Sequence, residues 1–560
     1  MPGQNFWLQS SGGTEVDEAM DICHNSSGES YVTGYFTNSC LFQNTYLTSS
    51  SAGIPDGFIY KTASNGQMLW VVKFGSSGSD RGVQCKIDAN QNLIVSGYFY
   101  GTVTFGSFTL TSNANSQDVF VAKLDPSGNF LWAVKMGGPL TDTPYGMCID
   151  SNNNILLTGS FKSNAQFGSQ NFTSITNPNS NSPSDDVFTT KISGNGNFLW
   201  TRTGQAKYED RGLNVAVDSQ NNIYVCGQFS DTIQFNNSHQ NQIMNAAFII
   251  KYSSSGNELW FKKAAATSVI AYGIECDAND NLYLCGDFTG NLIFYNQPNI
   301  SIGGNFQNRI FLTQFTSSGS QNWLISESSK NYISARDLSI DSNNDIYILG
   351  EFGCGLTDYQ NSVAQGVFNS IGYVDVFISK YNHSNGNRIW ERQIGGPSHD
   401  KVHGISMIQP DKPLIAGSYF NKFSVPNSNS FGMYPNSIVF PVFAPYQASN
   451  YCNDFLYNSF VTAFGIGFSD AIAGTLVDIS RNTYDYYSRS GAVCNRPFKG
   501  VCIDKTNLIS NCPDTINICP GNDIYAVTFT GNEGHIGPYH SFKWGAGDTL
   551  INTTPSFSGI

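Results

Sequence analysis

Seven of the eight tryptophans in this 560-residue chain are Trp7, Trp70, Trp132, Trp200, Trp260, Trp323 and Trp390, with steps of 63, 62, 68, 60, 63 and 67 residues. A near-constant period of this length marks one supersecondary unit repeated along the chain. Such units bury their apolar faces against their own copies. The text around the tryptophans repeats with them. Units carry segments such as YGMCIDSNNNILLTGSF and GLNVAVDSQNNIYVCGQF, a variable stretch, and segments such as DVFVAKLDPSGNFLW and AAFIIKYSSSGNELW.

Each unit resolves into four short strands, a to d, with the tryptophan on strand d. Strand a is expected at 19–23, 83–88, 146–150, 213–218, 273–277, 337–341 and 404–409. Strand c, as in DVFVAKL, alternates with period 2 and predicts a strand with two unlike faces. The a–b links (DSNNN, DSQNN, DANDN) and c–d links (DPSGN, SGNGN, SSSGN) have hairpin-turn chemistry, with Asn and Gly supplying positive φ. Four-stranded sheets joined by hairpins and repeated seven times predict an all-β, seven-bladed β-propeller over residues 1–465. The chain begins with a lone strand d, and its last repeat supplies a, b and c (the last at 459–464) but no tryptophan strand. The N-terminal strand is therefore expected to complete the seventh blade, which removes an open sheet edge.

The pattern D-x-F-x-x-K-x-D-x-x-G-N-x-L-W followed by a Gly pair resembles the bacterial SBBP-type β-propeller repeat over about residues 6–464. The fifth unit departs from it at Ala264–Ala266 and the sixth at Glu327–Ser329, where others carry the Gly pair, so altered loops are expected there. The resemblance implies a secreted or surface propeller and implies no reaction. Residues 466–511 read as a linker or cap. Residues 512–560, with two short β-like runs and a Cys…Trp spacing, resemble the start of the Ig-like modules of large Bacteroidetes surface proteins. That likeness implies an exported, longer, multi-modular chain with an extracellular or cell-surface location.

Composition narrows the function. Charged residues are 13% and net charge is −13, with Lys and Arg scattered. Phosphate backbones and anionic membranes call for clustered cations, so neither nucleic acid nor a membrane surface is an expected partner. The N-terminus MPGQNFWLQSSGG lacks the charged and apolar regions of a signal peptide. The apolar run 459–477 holds Asp470 and three glycines and is a poor membrane span. Cys23, Cys85, Cys148, Cys276, Cys226 and Cys285 lie on strands a and b and read as small core residues. Cys494, Cys502, Cys512 and Cys519 in the tail allow local disulfides of undetermined connectivity.

The b–c links are long in every unit and emerge with the d–a links on the face opposite the tight turns. Variable loops on a rigid scaffold are where binding sits. The seventh is the longest and contains the apolar run IVFPVFAPY at 438–446, readable as a recognition patch or as packing over a blade edge. The pairs Phe36/Phe42, Phe99/Phe105, Phe161/Phe167, Phe229/Phe235 and Phe288/Phe294 read as blade core. Asp17, Asp80, Asp142, Asp210 and Asp400 recur in the d–a links and would ring the channel mouth. They suit either Ca²⁺ coordination or the capping of backbone N–H groups in their turns. His399 and His403 have zinc-helix spacing, but they enter a strand, where the two side chains share no helical face. No nucleophile elbow, P-loop or dinucleotide motif is present. The expected function is thus extracellular recognition, adhesion or scaffolding, through a protein or glycan ligand or other modules of the same chain, and not catalysis. A polysaccharide-active enzyme at the channel mouth and a ligand-free spacer are the alternatives.

Overall fold

The fold is taken from a computed structural model that describes residues 7–13, 15–235, 239–241, 246–295, 308–329, 332–353, 356–360, 363–368, 374–395, 399–420, 457–463, 527–529 and 540–542. Two compact units, Met1–Ala471 and Ile472–Ile560, divide it. In the second, Val527–Phe529 pairs antiparallel with His540–Phe542. The tail cysteines and the run 438–446 lie outside the described residues, as does most of the proposed Ig-like segment.

The first unit is a repeat β-propeller of four-stranded antiparallel sheets in order a-b-c-d. The first sheet is Asp17–His24, Ser30–Thr37, Pro55–Thr62 and Met68–Phe74. The second is Arg81–Ile87, Leu93–Phe99, Asp118–Leu124 and Phe130–Met136, and the third is Thr143–Ile149, Ile155–Phe161, Asp186–Ile192 and Phe198–Ala206. Arg211–Val217 opens the fourth, Ser268–Cys276 the fifth, Tyr332–Ile340 the sixth and Asp400–Gln409 the seventh. In the seventh sheet Trp7–Gly13 pairs with Tyr457–Ala463, Trp7 opposite Ala463, so the N-terminal strand is its strand d. Strands a of consecutive sheets touch one another, and that of the seventh touches that of the first.

Strand c departs from the two-faced expectation. Asp118–Leu124, Asp186–Ile192, Ala246–Tyr252 and Asp375–Tyr381 are buried at every position. Each sheet is packed on both faces by its neighbours, so no face of strand c meets water.

The repeated turn residues have a common use. Asp88, Asp150, Asp218, Asp277 and Asp341 each accept N–H groups two and four residues on through Oδ1, closing the a–b turn. At Asp88, Asp150 and Asp218 the other oxygen takes the strand-c lysine: Lys123 at 2.8 Å, Lys191 at 2.8 Å and Lys251 at 3.2 Å. The same ammonium donates to a c–d turn carbonyl of the next sheet, and so does the tryptophan indole. Lys123 Nζ and Trp132 Nε1 meet Gly194 O at 3.0 and 3.2 Å, and Lys191 and Trp200 meet Ser254 O at 3.1 and 3.3 Å. Lys61 and Trp70 on Pro126 O, and Lys251 and Trp260 on Ser317 O, repeat the arrangement. The turn glycine explains itself here. Gly196 has φ +84, and a Cβ on it would lie 3.2 Å from the Trp132 ring. Trp70, Trp132, Trp200 and Trp260 thus clamp each of their sheets to the next.

The seventh sheet joins strands from opposite ends of the chain and has no c–d turn to offer. Asp411, in its a–b turn, takes the place of that carbonyl, accepting Lys380 Nζ at 2.8 Å and Trp390 Nε1 at 3.3 Å.

The long b–c links are not all free coil. In four of them the first residues pair with strand d of the preceding sheet. Ser39–Phe42 pairs with Trp7–Gly13, Thr232–Gln234 with Phe198–Ala206, Ile293–Phe294 with Glu258–Ala265 and Leu356–Gln360 with Gln321–Ser329. Gln166 exchanges two backbone hydrogen bonds with Gly137 in the same sense. The outer edges of those sheets are covered in this way. The recurring phenylalanines are the inner side of these links: Phe42, Phe105, Phe167 and Phe235 are buried, with Phe105 4.7 Å from Phe120 and Phe167 5.0 Å from Phe188.

Candidate functional site: the channel mouth

Among the described residues, the surface opposite the tight turns includes the start of strand a and the end of strand b. Every strand a carries a β-bulge at the same register. The residue passed over is Met20, Val83, Tyr145, Leu213, Tyr272, Arg336 or His403. A bulge re-aims its side chain and ends regular pairing, and bulges concentrate at rims and functional sites. Two positions before the bulge, strand a pairs with the middle residue of the strand-b G-x-F segment: Glu18 with Tyr35, Arg81 with Tyr98, Thr143 with Ser160, Arg211 with Gln228 and Ser334 with Glu351. Elsewhere the units repeat; at these three positions they diverge from acid to base to aromatic to aliphatic.

The side chains meet in two groups. Between the seventh, first and second sheets, Glu18 Oε1 lies 2.9 Å from Lys401 Nζ, and Glu18 Oε2 lies 3.6 Å from His403 Nε2. Burial pushes the Glu18 carboxyl up, but the polar contact with His403 and the charge and hydrogen bond of Lys401 prevail and hold it well below the usual carboxylate range. Tyr35 contacts Glu18 and lies under Arg81, whose guanidinium carbon is 3.8 Å from the ring centroid and 5.9 Å from that of Tyr98. The second group is on the sixth sheet. There Arg336 donates to Glu351 at 2.8 Å and to Tyr332 Oη at 2.8 Å, with the Tyr272 ring 5.7 Å away. Deeper in the lumen Lys86 Nζ lies 3.0 Å from Asp21. Burial, then the charge of Asp337, pushes the Glu275 carboxyl up to about 8.

The five recurrent aspartates are buried and spread one to a sheet, none assembled with another. Asp17 accepts N–H from Gly13 at 2.6 Å and Thr37 at 3.1 Å, Asp80 from Tyr100 at 2.9 Å, Asp142 from Gly138 at 2.6 Å and Lys162 at 3.2 Å, and Asp210 from Ser230 at 3.0 Å. The Asp400 N–H meets Val374 O of the preceding sheet, as those of Asp80, Asp142 and Asp210 meet Pro55, Gln117 and Asp185. These residues staple the d–a link to strand b of their own sheet and to the sheet before it. Burial pushes the carboxyls of Asp17, Asp80, Asp142 and Asp210 up, to about 8 in Asp17 and Asp142, against the N–H bonds that pull them down. Among the described residues no three acidic, His or Cys side chains converge in a way that could hold a metal ion. His403 stands in strand a facing Glu18, and His399 precedes that strand.

Sequence reasoning named the mouth but missed Arg81, Tyr35, Tyr98, Arg336 and Lys401. The usable signal was the divergence of G-x-F among units that otherwise agree: Tyr35, Tyr98, Ser160, Gln228, Asp287, Glu351.

No family model matches the chain. It is 25% identical over 441 residues to an uncharacterized WD repeat-containing protein of Acanthamoeba polyphaga mimivirus, covering 63% of this chain and 31% of that one. The chain thus spans about a third of the length of that relative. Among solved structures, a PL25-family ulvan lyase bound to -[GlcA(1-4)Rha3S]- has 12% identity and a TM-score of 0.40, covering 74% of this chain and 92% of its own. The quinohemoprotein alcohol dehydrogenase of Comamonas testosteroni has 8% identity and a TM-score of 0.36, covering 84% and 78%. By its sheets, the chain is a repeat β-propeller, and by sequence it is similar over most of its length to a WD repeat-containing protein.

Proposed function

We propose that this chain is a recognition module whose ligand, a glycan or a protein, seats on the channel mouth of a closed seven-bladed ring. The observation that carries the reading is the divergence of the three rim positions against a background of repetition. Packing and turn chemistry demand the repeat along the rest of the strands and tight turns, and a ligand gives a reason for mixed chemistry at one rim. The relative's WD repeats support an interaction role. We further read the module as extracellular or cell-surface, of SBBP type, with its tail the start of an Ig-like module. Among the described residues no helix is long and apolar enough to cross a membrane.

The test is binding of the purified chain to glycan and extracellular-protein arrays, compared with Tyr145→Ala and Tyr272→Ala. Both side chains are partly exposed bulge residues. Loss of binding with an unchanged melting temperature supports the mouth; retention of every interaction in both variants refutes it. A polysaccharide-active enzyme at the same mouth is the second reading, favoured by the contact of His403, Glu18 and Tyr35, groups able to move protons. Turnover of a bound polymer, lost in His403→Gln, would establish it.

A further inference from the structure

We propose that the sector of the mouth shared by the seventh, first and second sheets is a subsite for the carboxylate of an acidic saccharide, an inference that rests on the mouth being the ligand site.

Among the described residues no carboxylate lies within ion-pair distance of Arg81. Its guanidinium instead rests on Tyr35 at 3.8 Å, and its Nε is buried without a partner. The next cation along the rim is Lys401, which Glu18 already engages. His403 Nε2 is likewise buried without a hydrogen-bond partner, 3.6 Å from Glu18. In a chain of net charge −13, this is a local excess of positive charge. A buried N–H with no acceptor is costly, and a ligand oxygen removes that cost. The planar guanidinium presents paired donors that match a carboxylate fork, and Tyr35 holds that fork in place.

The aromatic setting favours a sugar. Tyr98, partly exposed, offers a ring face beside the cation, while Tyr35 is buried beneath it. A peptide would ordinarily gain affinity by adding a strand to an open edge. Here strands a and b pair within their sheets, and strands from the b–c links pair with strands d of the third, fourth, fifth and seventh sheets.

The experiment is calorimetric titration of the chain with tetragalacturonate, its fully methyl-esterified form, and a short peptide with a free C-terminal carboxylate. It is repeated with Arg81→Gln, Arg81→Lys and Tyr145→Ala. Tetragalacturonate is expected to bind, and esterification or Arg81→Gln to weaken it about tenfold or more, the worth of one good bidentate contact. Arg81→Lys keeps the charge without the fork and should fall between; it also carries the test if Arg81→Gln fails to fold. Equal affinity for acid and ester, or for wild type and both Arg81 variants, overturns the subsite. If Tyr145→Ala nonetheless weakens binding, the mouth reading survives that failure. Arg81-dependent binding of the peptide with no saccharide binding overturns the saccharide assignment, as does absence of binding by all three probes; the array result then decides the mouth by itself.

Discussion

Lys123→Met tests the clamp between sheets most directly. Lys123 is buried, with Nζ 2.8 Å from Asp88 in its own sheet and 3.0 Å from Gly194 O in the next. Methionine fills the stem but leaves Asp88 Oδ2 with only the Asn92 amide at 3.2 Å, and Gly194 O with only the Trp132 indole at 3.2 Å. Removing one partner of a buried pair costs about 3–5 kcal/mol, because the other charge stays buried. The remaining Asn92 bond places this case near the lower end. Asp88→Asn keeps the Oδ1 bonds that close the turn, to Asn90 at 2.9 Å and Asn92 at 2.8 Å, so the double variant removes the stranded charge without opening the turn. The double variant should therefore be more stable than the sum of the singles allows, by about 2 kcal/mol in a double-mutant cycle. The assay is equilibrium denaturation at neutral pH. The pH dependence has a definite sign. Burial raises the Asp88 carboxyl, but Lys123 and Asn92 outweigh it, so its folded value is depressed. A depressed acid contributes stability above its unfolded value, near 4, and loses it as pH falls further. The gap between wild type and Lys123→Met should narrow in acid. A Lys123→Met variant within about 0.5 kcal/mol of wild type would refute the clamp, that being the range of substitutions that touch nothing important. So would additive singles.

Gly196→Ala, forced to φ +84 against the Trp132 ring, should destabilise by about 1–3 kcal/mol in the same assay. Asp411→Ala removes the acceptor that substitutes for a turn carbonyl at the seam. It should lower stability by about 1–2 kcal/mol, with Trp390 fluorescence shifting to the red as its indole loses the bond. Glu275→Gln should show a pH-dependent gain. The folded carboxyl titrates at about 8, so between pH 4.5 and 8 the folded state keeps a proton that the unfolded state has released, and stability falls as pH rises through that window. Glutamine escapes that loss. Its melting temperature should match wild type at pH 4 and exceed it at pH 9; a difference independent of pH would show that Glu275 does not titrate as described.

Much of the fold is legible in the sequence because it is local. A turn closed by Asp150 on Asn152 and Asn154 involves residues two and four apart, so a short motif carries its own geometry. The displaced strand d at Trp7 is legible for a related reason: counting units leaves one tryptophan strand over and one blade short. Asp17 and its counterparts were readable as caps or as calcium ligands. The N–H groups that Asp17 accepts come from Gly13, four residues back, and from Thr37, twenty residues on.

The sequence by itself determined the period, the turns, the strand order within each sheet and the origin of the seventh strand d, since all follow from hydrogen-bonding chemistry within one unit. The tertiary structure alone decided what the tryptophans and lysines hold, because Trp132 and Gly194 are 62 residues apart and meet only when two units pack. It also decided that four of the long links pair with sheet edges. With those edges covered, the bulged starts of strand a are left to present Arg81, Tyr272, Arg336 and His403 at the mouth. A bulge is a mismatch of register between two strands, and it exists only once both are in place.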